Sequence, residues 1–200
     1  IVEILPEGRD IRFSKEIKDN NNSLAYTLQA GEFNLKNQGL LSLIASIVEA
    51  DFYLQMRTNQ QLGYIVWSFS QRLENRLFMR FVIQSGTHGS FELARRVENW
   101  LKDSSKLFGK ISKEEFERHQ KSILVGLLKK TDSISEEAAR LHYLATEEKG
   151  NFQMKKQLAE VIKKISREET ILAAKKLFQD ASTSRVLIQM RARGNKDRIP

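Results

Sequence analysis

Leu24, Tyr26 and Leu28 alternate with Ala25, Thr27 and Gln29, and a period of two places one set on each face of a strand running from Leu24 to Ala30. Ile11 to Lys18 reads as a preceding strand, with Asp19-Asn20-Asn21-Asn22-Ser23 as the turn between the two. From about Lys36 to Met56 the period lengthens, and Leu40, Leu43, Ile44, Ile47 and Val48 line one face of a helix. Alternation returns where Ile65, Trp67 and Phe69 are separated by Val66, Ser68 and Ser70. Leu77 to Gln84 is a further strand, joined through the turn Arg72-Leu73-Glu74-Asn75. After Gly86 the pattern is helical. Ser90 is placed to cap a helix carrying Leu93, Val97, Trp100 and Leu101. Ser112 with Glu115 forms a capping box, and Ile111 with Phe116 its hydrophobic staple. Ser133 with Glu136 and Ser166 with Glu169 repeat the box. Those helices carry Ile134, Leu141 and Leu144, then Ile171, Ala174, Leu177 and Phe178. Val186, Ile188 and Met190 alternate in a last strand, and Arg191 to Pro200 reads as a tail.

The order strand, strand, helix, strand, strand, helices, strand predicts an α+β domain of two layers. It implies two hairpins, and so a largely antiparallel sheet with helices packed on it. No Pro-, Gly- or Ser-rich linker interrupts the chain, so residues 1–200 are read as one domain. Two hundred residues bury a full core without staples. There is no cysteine, which excludes disulfides and thiolate metal sites. No apolar run looks long enough to span a membrane, and no membrane partner is expected. The chain opens Ile1-Val2-Glu3 and reads as part of a longer protein.

The formal net charge is +8. Nucleic acid binding is one consequence to weigh. The basic pairs Arg95-Arg96, Lys129-Lys130, Lys155-Lys156, Lys163-Lys164 and Lys175-Lys176 are, however, dispersed over several helices among carboxylates such as Glu114, Glu115 and Glu117. That mixture is a set of solvated helix faces, and no nucleic acid partner is expected.

Candidate chemistry is sparse. The three histidines, His88, His119 and His142, lie in neither H-x-x-E-H nor H-E-x-x-H. Glu115 and His119 share a helix face at a spacing of four, which predicts an ion pair rather than a metal site. His142 is expected on a partly exposed helix face, and His88, the strongest functional candidate of the three, reads as a plain residue of the loop Gly86-Thr87-His88-Gly89. Neither a phosphate loop nor a nucleophile elbow is present.

One stretch remains, Met56-Arg57-Thr58-Asn59-Gln60-Gln61-Leu62-Gly63-Tyr64-Ile65-Val66, where the long helix gives way to a strand. It sets Arg57 and Tyr64 seven positions apart. On composition alone these are a helix-terminal cation and a strand tyrosine packed in the core. The stretch resembles the junction "LRT..QLGY.V" of the pitrilysin/insulin-degrading enzyme family of zinc metallopeptidases, in its C-terminal half. Phe81-Val82-Ile83-Gln84-Ser85, the helix through Arg96 to Leu101 and the Phe116 helix follow in family order, so the likeness runs from about Ile11 to Arg191. Met56 stands where leucine is usual, and Asn59-Gln60 replaces a more charged pair.

The resemblance implies a C-terminal, inactive peptidase-like domain of a larger enzyme. Zinc would sit in another domain, with none in this chain. Arg57 and Tyr64 would act as auxiliary catalytic and substrate-binding residues, donating to the carbonyl of a peptide as charge develops on its oxygen. The partners implied are a peptide substrate and the other domains of the same enzyme. Two alternatives stay open: a non-catalytic subunit or scaffold of the same superfamily, such as a processing-peptidase partner, and an unrelated basic binding module.

Overall fold

The computed structural model describes residues 5–193. Among the described residues five strands form one sheet: β1 (Asp10–Ile17), β2 (Asn22–Glu32), β3 (Ile65–Leu73), β4 (Arg76–Ser85) and β5 (Arg185–Ala192). Six helices accompany it: α1 (Leu35–Tyr53), α2 (Ser90–Lys110), α3 (Lys113–Leu128), α4 (Ile134–Thr146), α5 (Met154–Lys164) and α6 (Arg167–Gln179). The strand order is β1-β5-β2-β4-β3. The pairs β5/β2, β2/β4 and β4/β3 are antiparallel, and β1/β5 is parallel. The α+β class and the largely antiparallel sheet are as the sequence predicts.

Only one of the two expected hairpins forms, β3–β4 about Glu74 and Asn75. β1 and β2 do not pair with each other, because β5 enters between them. Leu24 lies opposite Gln189, and Phe13 opposite Ile188. The short Asn-rich turn therefore has to carry the chain past one strand position rather than fold it back on itself. The expected tail also begins too early, since Arg191 and Ala192 belong to β5. Residues 194–200 lie outside the described residues.

The helices cover one face of the sheet. Leu24, Tyr26 and Leu28 of β2 and Leu77, Met79, Phe81 and Ile83 of β4 point into it and are buried. Phe52, Phe81 and Trp100 meet at its centre with ring centroids 4.9–5.5 Å apart, tilted or edge-on as aromatic quadrupoles prefer. The Trp100 indole N–H donates to Asp51 Oδ2 at 2.8 Å, satisfying the polar end of a ring that is otherwise apolar. In β3 and β5 the phase is the reverse of the apolar alternation seen in the sequence. Val66, Ser68, Leu187 and Gln189 face the helices, with Gln189 donating to the Ser90 carbonyl. Trp67, Phe69 and Ile188 lie on the opposite face, where the row Phe13–Ile188–Ala25–Val82–Trp67 crosses all five strands.

The boxes Ser112/Glu115 and Ser166/Glu169 are complete. At Ser133 only half forms, because the Glu136 carboxylate accepts from the Asp132 amide instead. Ser90 does not cap α2 as expected; it is the first helical residue, after Gly89. Helix α5, which the sequence reading does not single out, buries Leu158, Ala159 and Ile162. Together α1 and the turn that follows it make a 25-residue stretch long and apolar enough to cross a membrane, against expectation. Half of an 18-residue apolar window within it is buried here, in the core helix of the domain.

Candidate functional site

The predicted junction is built from α1 outward. At Leu54 the helix widens into a π-helical turn, Leu54–Asn59, a form often found at functional positions. Met56 at its inner face and Leu62 beyond it are fully buried, so the loop is anchored at both ends. The Leu62 amide donates to the Met56 carbonyl at 2.9 Å and the Gln60 amide to the Gln55 carbonyl at 3.1 Å. Between them Gln61 adopts φ 50°, a left-handed conformation that a non-glycine residue pays for in strain.

Gly63 then passes against the end of β4. A Cβ there would lie 1.9 Å from the Gln84 carbonyl oxygen, so only glycine fits. Its φ is not in the positive range, which makes the requirement one of space rather than of backbone conformation. The close approach at Gly63 is to the chain's own strand.

Arg57 and Tyr64 are brought together by this path. Arg57 Nη1 donates to the Gly63 carbonyl at 2.7 Å and to the Tyr64 carbonyl at 2.6 Å. The guanidinium carbon lies 4.7 Å from the centre of the Tyr64 ring and 6.0 Å from that of Tyr53. A cation over a phenol face is held by the ring quadrupole as well as by the two hydrogen bonds. Three further N–H groups remain on Nε and Nη2. Tyr64 is 84% exposed, which removes the alternative of a core tyrosine. Arg57 is thus a clamp on the segment that presents Tyr64. Tyr53, the third member of the stack, was not picked out from sequence. Its spacing of four from Arg57 on a helix was the available signal.

The histidines are dispersed. Near the junction, Ser85 Oγ accepts from the amides of Thr87 and His88, and His88 Nδ1 contacts Thr87 Oγ1 at 3.0 Å. His142 is exposed. His119 does not form the expected ion pair with Glu115. Its Nδ1 meets Ser46 Oγ of α1 at 2.9 Å, and Glu115 is engaged in capping α3. Burial chiefly, and then the Arg118 charge, lower the His119 pKa and favour the neutral ring, with Glu115 opposing weakly. Among the described residues no three His, Cys, Asp or Glu side chains converge, so this part of the chain does not fit a zinc site.

Comparison with known proteins gives the chain a family. Residues 43–142, half of the chain and including Arg57 and Tyr64, match the family described as PQQ synthase PqqF-like, C-terminal lobe domain 4. The chain belongs to this family. Among its relatives, the A-factor-processing enzyme of Saccharomyces cerevisiae is 25% identical over 194 residues, which cover 94% of this chain and 19% of that protein. The insulin-degrading enzyme of Drosophila melanogaster is 26% identical over 182 residues, 90% of this chain and 18% of that protein. In the crystal structure of pitrilysin the same fold recurs with a TM-score of 0.86 at 21% identity, covering 97% of this chain and 21% of that one. This PqqF-like domain is therefore a C-terminal domain of the pitrilysin/insulin-degrading enzyme family. It spans about a fifth of the length of the relatives it matches.

Proposed function

We propose that this domain closes the substrate chamber of a larger zinc endopeptidase and presents Arg57 and Tyr64 to the bound peptide. In that parent enzyme zinc sits in a different domain and supplies the hydrolytic chemistry. The residues of this chain bind and orient. The Tyr64 phenol donates to the peptide carbonyl oxygen as negative charge grows there, and the remaining Arg57 N–H groups add positive potential beside it.

One observation carries the reading: a large aromatic side chain, 84% exposed, stands on a segment that nothing leaves free to move. Gly63 is wedged against β4, Met56 and Leu62 are fully buried, and Arg57 holds both carbonyls flanking the Tyr64 amide group and ring. An exposed tyrosine of no consequence does not need such support. Donors held rigid before the reaction cost no reorganisation during it, which is what stabilises a developing oxyanion.

The test is Tyr64→Phe in the parent enzyme. It removes one hydroxyl and keeps the ring over Arg57. We expect kcat to fall about 10²-fold, as on loss of one oxyanion donor. Zinc content and melting temperature should stay unchanged. Turnover within twofold of the parent would end the role assigned to Tyr64.

A further inference from the structure

The sheet ends at β3, whose outer edge carries no partner strand among the described residues. In an antiparallel ladder alternate residues turn both N–H and C=O away from their neighbour. β3, nine residues long, therefore offers a row of unpaired main-chain donors and acceptors. Beside this edge runs a groove of about 1050 Å³, walled by β3, α1 and α3. Its lining includes Ser46, Glu49 and Tyr53 of α1, His119 of α3, and Trp67 and Phe69 of β3.

The chemistry of the groove is specific. Tyr53 and Trp67 are 47% and 59% exposed, and their rings border the opening. Glu49 is exposed and lies one helical turn before Tyr53, so the two share a face of α1. No cation among the described residues pairs with the Glu49 carboxylate. Ser46 and His119, which also line the groove, are bonded to each other, and the hydroxyls of Thr58, Ser68 and Ser122 carry no charge. His119 favours its neutral form, so no positive charge there answers Glu49.

We infer that this groove takes an extended peptide segment as an added strand along β3, with a lysine or arginine side chain of that segment, on the α1 side of the sheet, lying over Tyr53 to reach Glu49. Main-chain hydrogen bonds to the edge supply affinity, and the carboxylate one helical turn from the Tyr53 ring selects the residue that points toward α1. The inference builds on the reading of the domain as the peptide-holding part of an endopeptidase, and it names the subsite and the side chain preferred there.

The experiment measures binding without turnover. The 200-residue chain is titrated with a fluorescein-labelled ten-residue peptide of Thr and Val bearing one central Lys, and with a twin bearing Gln instead, read by fluorescence anisotropy. The Lys peptide should bind about 5-fold tighter, the scale of a partly exposed ion pair with a cation–π contact. Glu49→Gln should abolish that preference while leaving the Gln peptide unchanged. N-methylation of alternate peptide amides should weaken binding more than about 10-fold in one register and little in the other, because only one set faces β3. Equal affinity of the two peptides, no binding of either, or equal loss in both registers would overturn the proposal. If the parent enzyme keeps full turnover with Tyr64→Phe while the Lys preference holds, the assigned role of Tyr64 fails and this one stands. The opposite pair of results separates them the other way.

Discussion

Gly63→Ala is the sharpest probe of the junction, because it adds one methyl group at a point where the available space is known. The new Cβ would sit 1.9 Å from the Gln84 carbonyl oxygen, 2.8 Å from its carbon and 3.3 Å from Ser85 Cα. All three atoms are backbone in β4, which is paired on both sides by β2 and β3 and cannot swing away. Since contacts under 3.0 Å are not sustained, the Gly63 segment must retreat by more than an ångström. Two consequences follow at once. The Gly63 and Tyr64 carbonyls move off Arg57, and Tyr64 leaves its position. Overpacking of this kind costs about 2 kcal/mol. For a chain of this size that lowers the melting temperature by about 4–8 °C. In the parent enzyme a displacement of about 1 Å at a substrate-positioning group should lower kcat by about 10²-fold. The control is Gly126→Ala in α3, where a Cβ meets nothing within 4 Å. There alanine should stabilise by about 0.5–1 kcal/mol, through its higher helix propensity. Thermal and urea melts of both variants decide the matter. A Gly63→Ala chain that melts with or above the parent would show that the loop does not rest on β4, and the argument for a rigid presentation of Tyr64 would fall with it.

Other expectations are simpler to state. Glu92 is held at a pKa of about 2 by hydrogen bonds from Arg95 first and Arg96 next, with burial opposing. A carboxylate depressed in the folded state stabilises fully above its ordinary value of 4.5 and loses that contribution as pH falls toward 2. The difference in melting temperature between the parent and Glu92→Gln should accordingly be constant above pH 5 and shrink across that window, and a difference independent of pH would refute the pairing. Ser166→Ala removes the N-cap acceptor of α6 and should cost about 1 kcal/mol in urea denaturation. Ser90→Ala, by contrast, should cost no capping energy, because the cap position belongs to Gly89.

Much of this architecture could be read from local pattern. The capping boxes at Ser112 and Ser166 are chemical signals confined to four residues, and they mark helix starts without help from the rest of the chain. Strand pairing is different in kind. Nothing near Asp19 to Ser23 reports that residues 185–192 will come between the two flanking strands, because that pairing is decided by contacts more than 160 positions away. The apolar alternation of β3 and β5 was visible, yet its burial was not. Period two tells which residues share a face, and only the packed helices tell which face they cover. The same division holds at the junction. The phenol and the cation were named as donors through the family resemblance. That Arg57 spends one nitrogen on the carbonyls of its own loop depends on a π-helical turn that no propensity announces.

The late entry of β5 sets an order on how this domain can be made. During synthesis β1 and β2 emerge early, and neither has the neighbour that the finished sheet gives it on the shared side. β4 can dock on β2 and β3 on β4 while the helices are still being added, but the gap between β1 and β2 stays open until residues 185–192 leave the ribosome. Until then Leu24, Tyr26 and Leu28 sit in a strand with one bare edge, and β1 lacks the one partner it has among the described residues. Such edges invite pairing with other chains. β5 is the keystone of the sheet, so a nascent chain halted before residue 185 is held as an aggregation-prone intermediate, and a stop codon there should send the product to chaperones or inclusion bodies rather than yield a smaller stable domain.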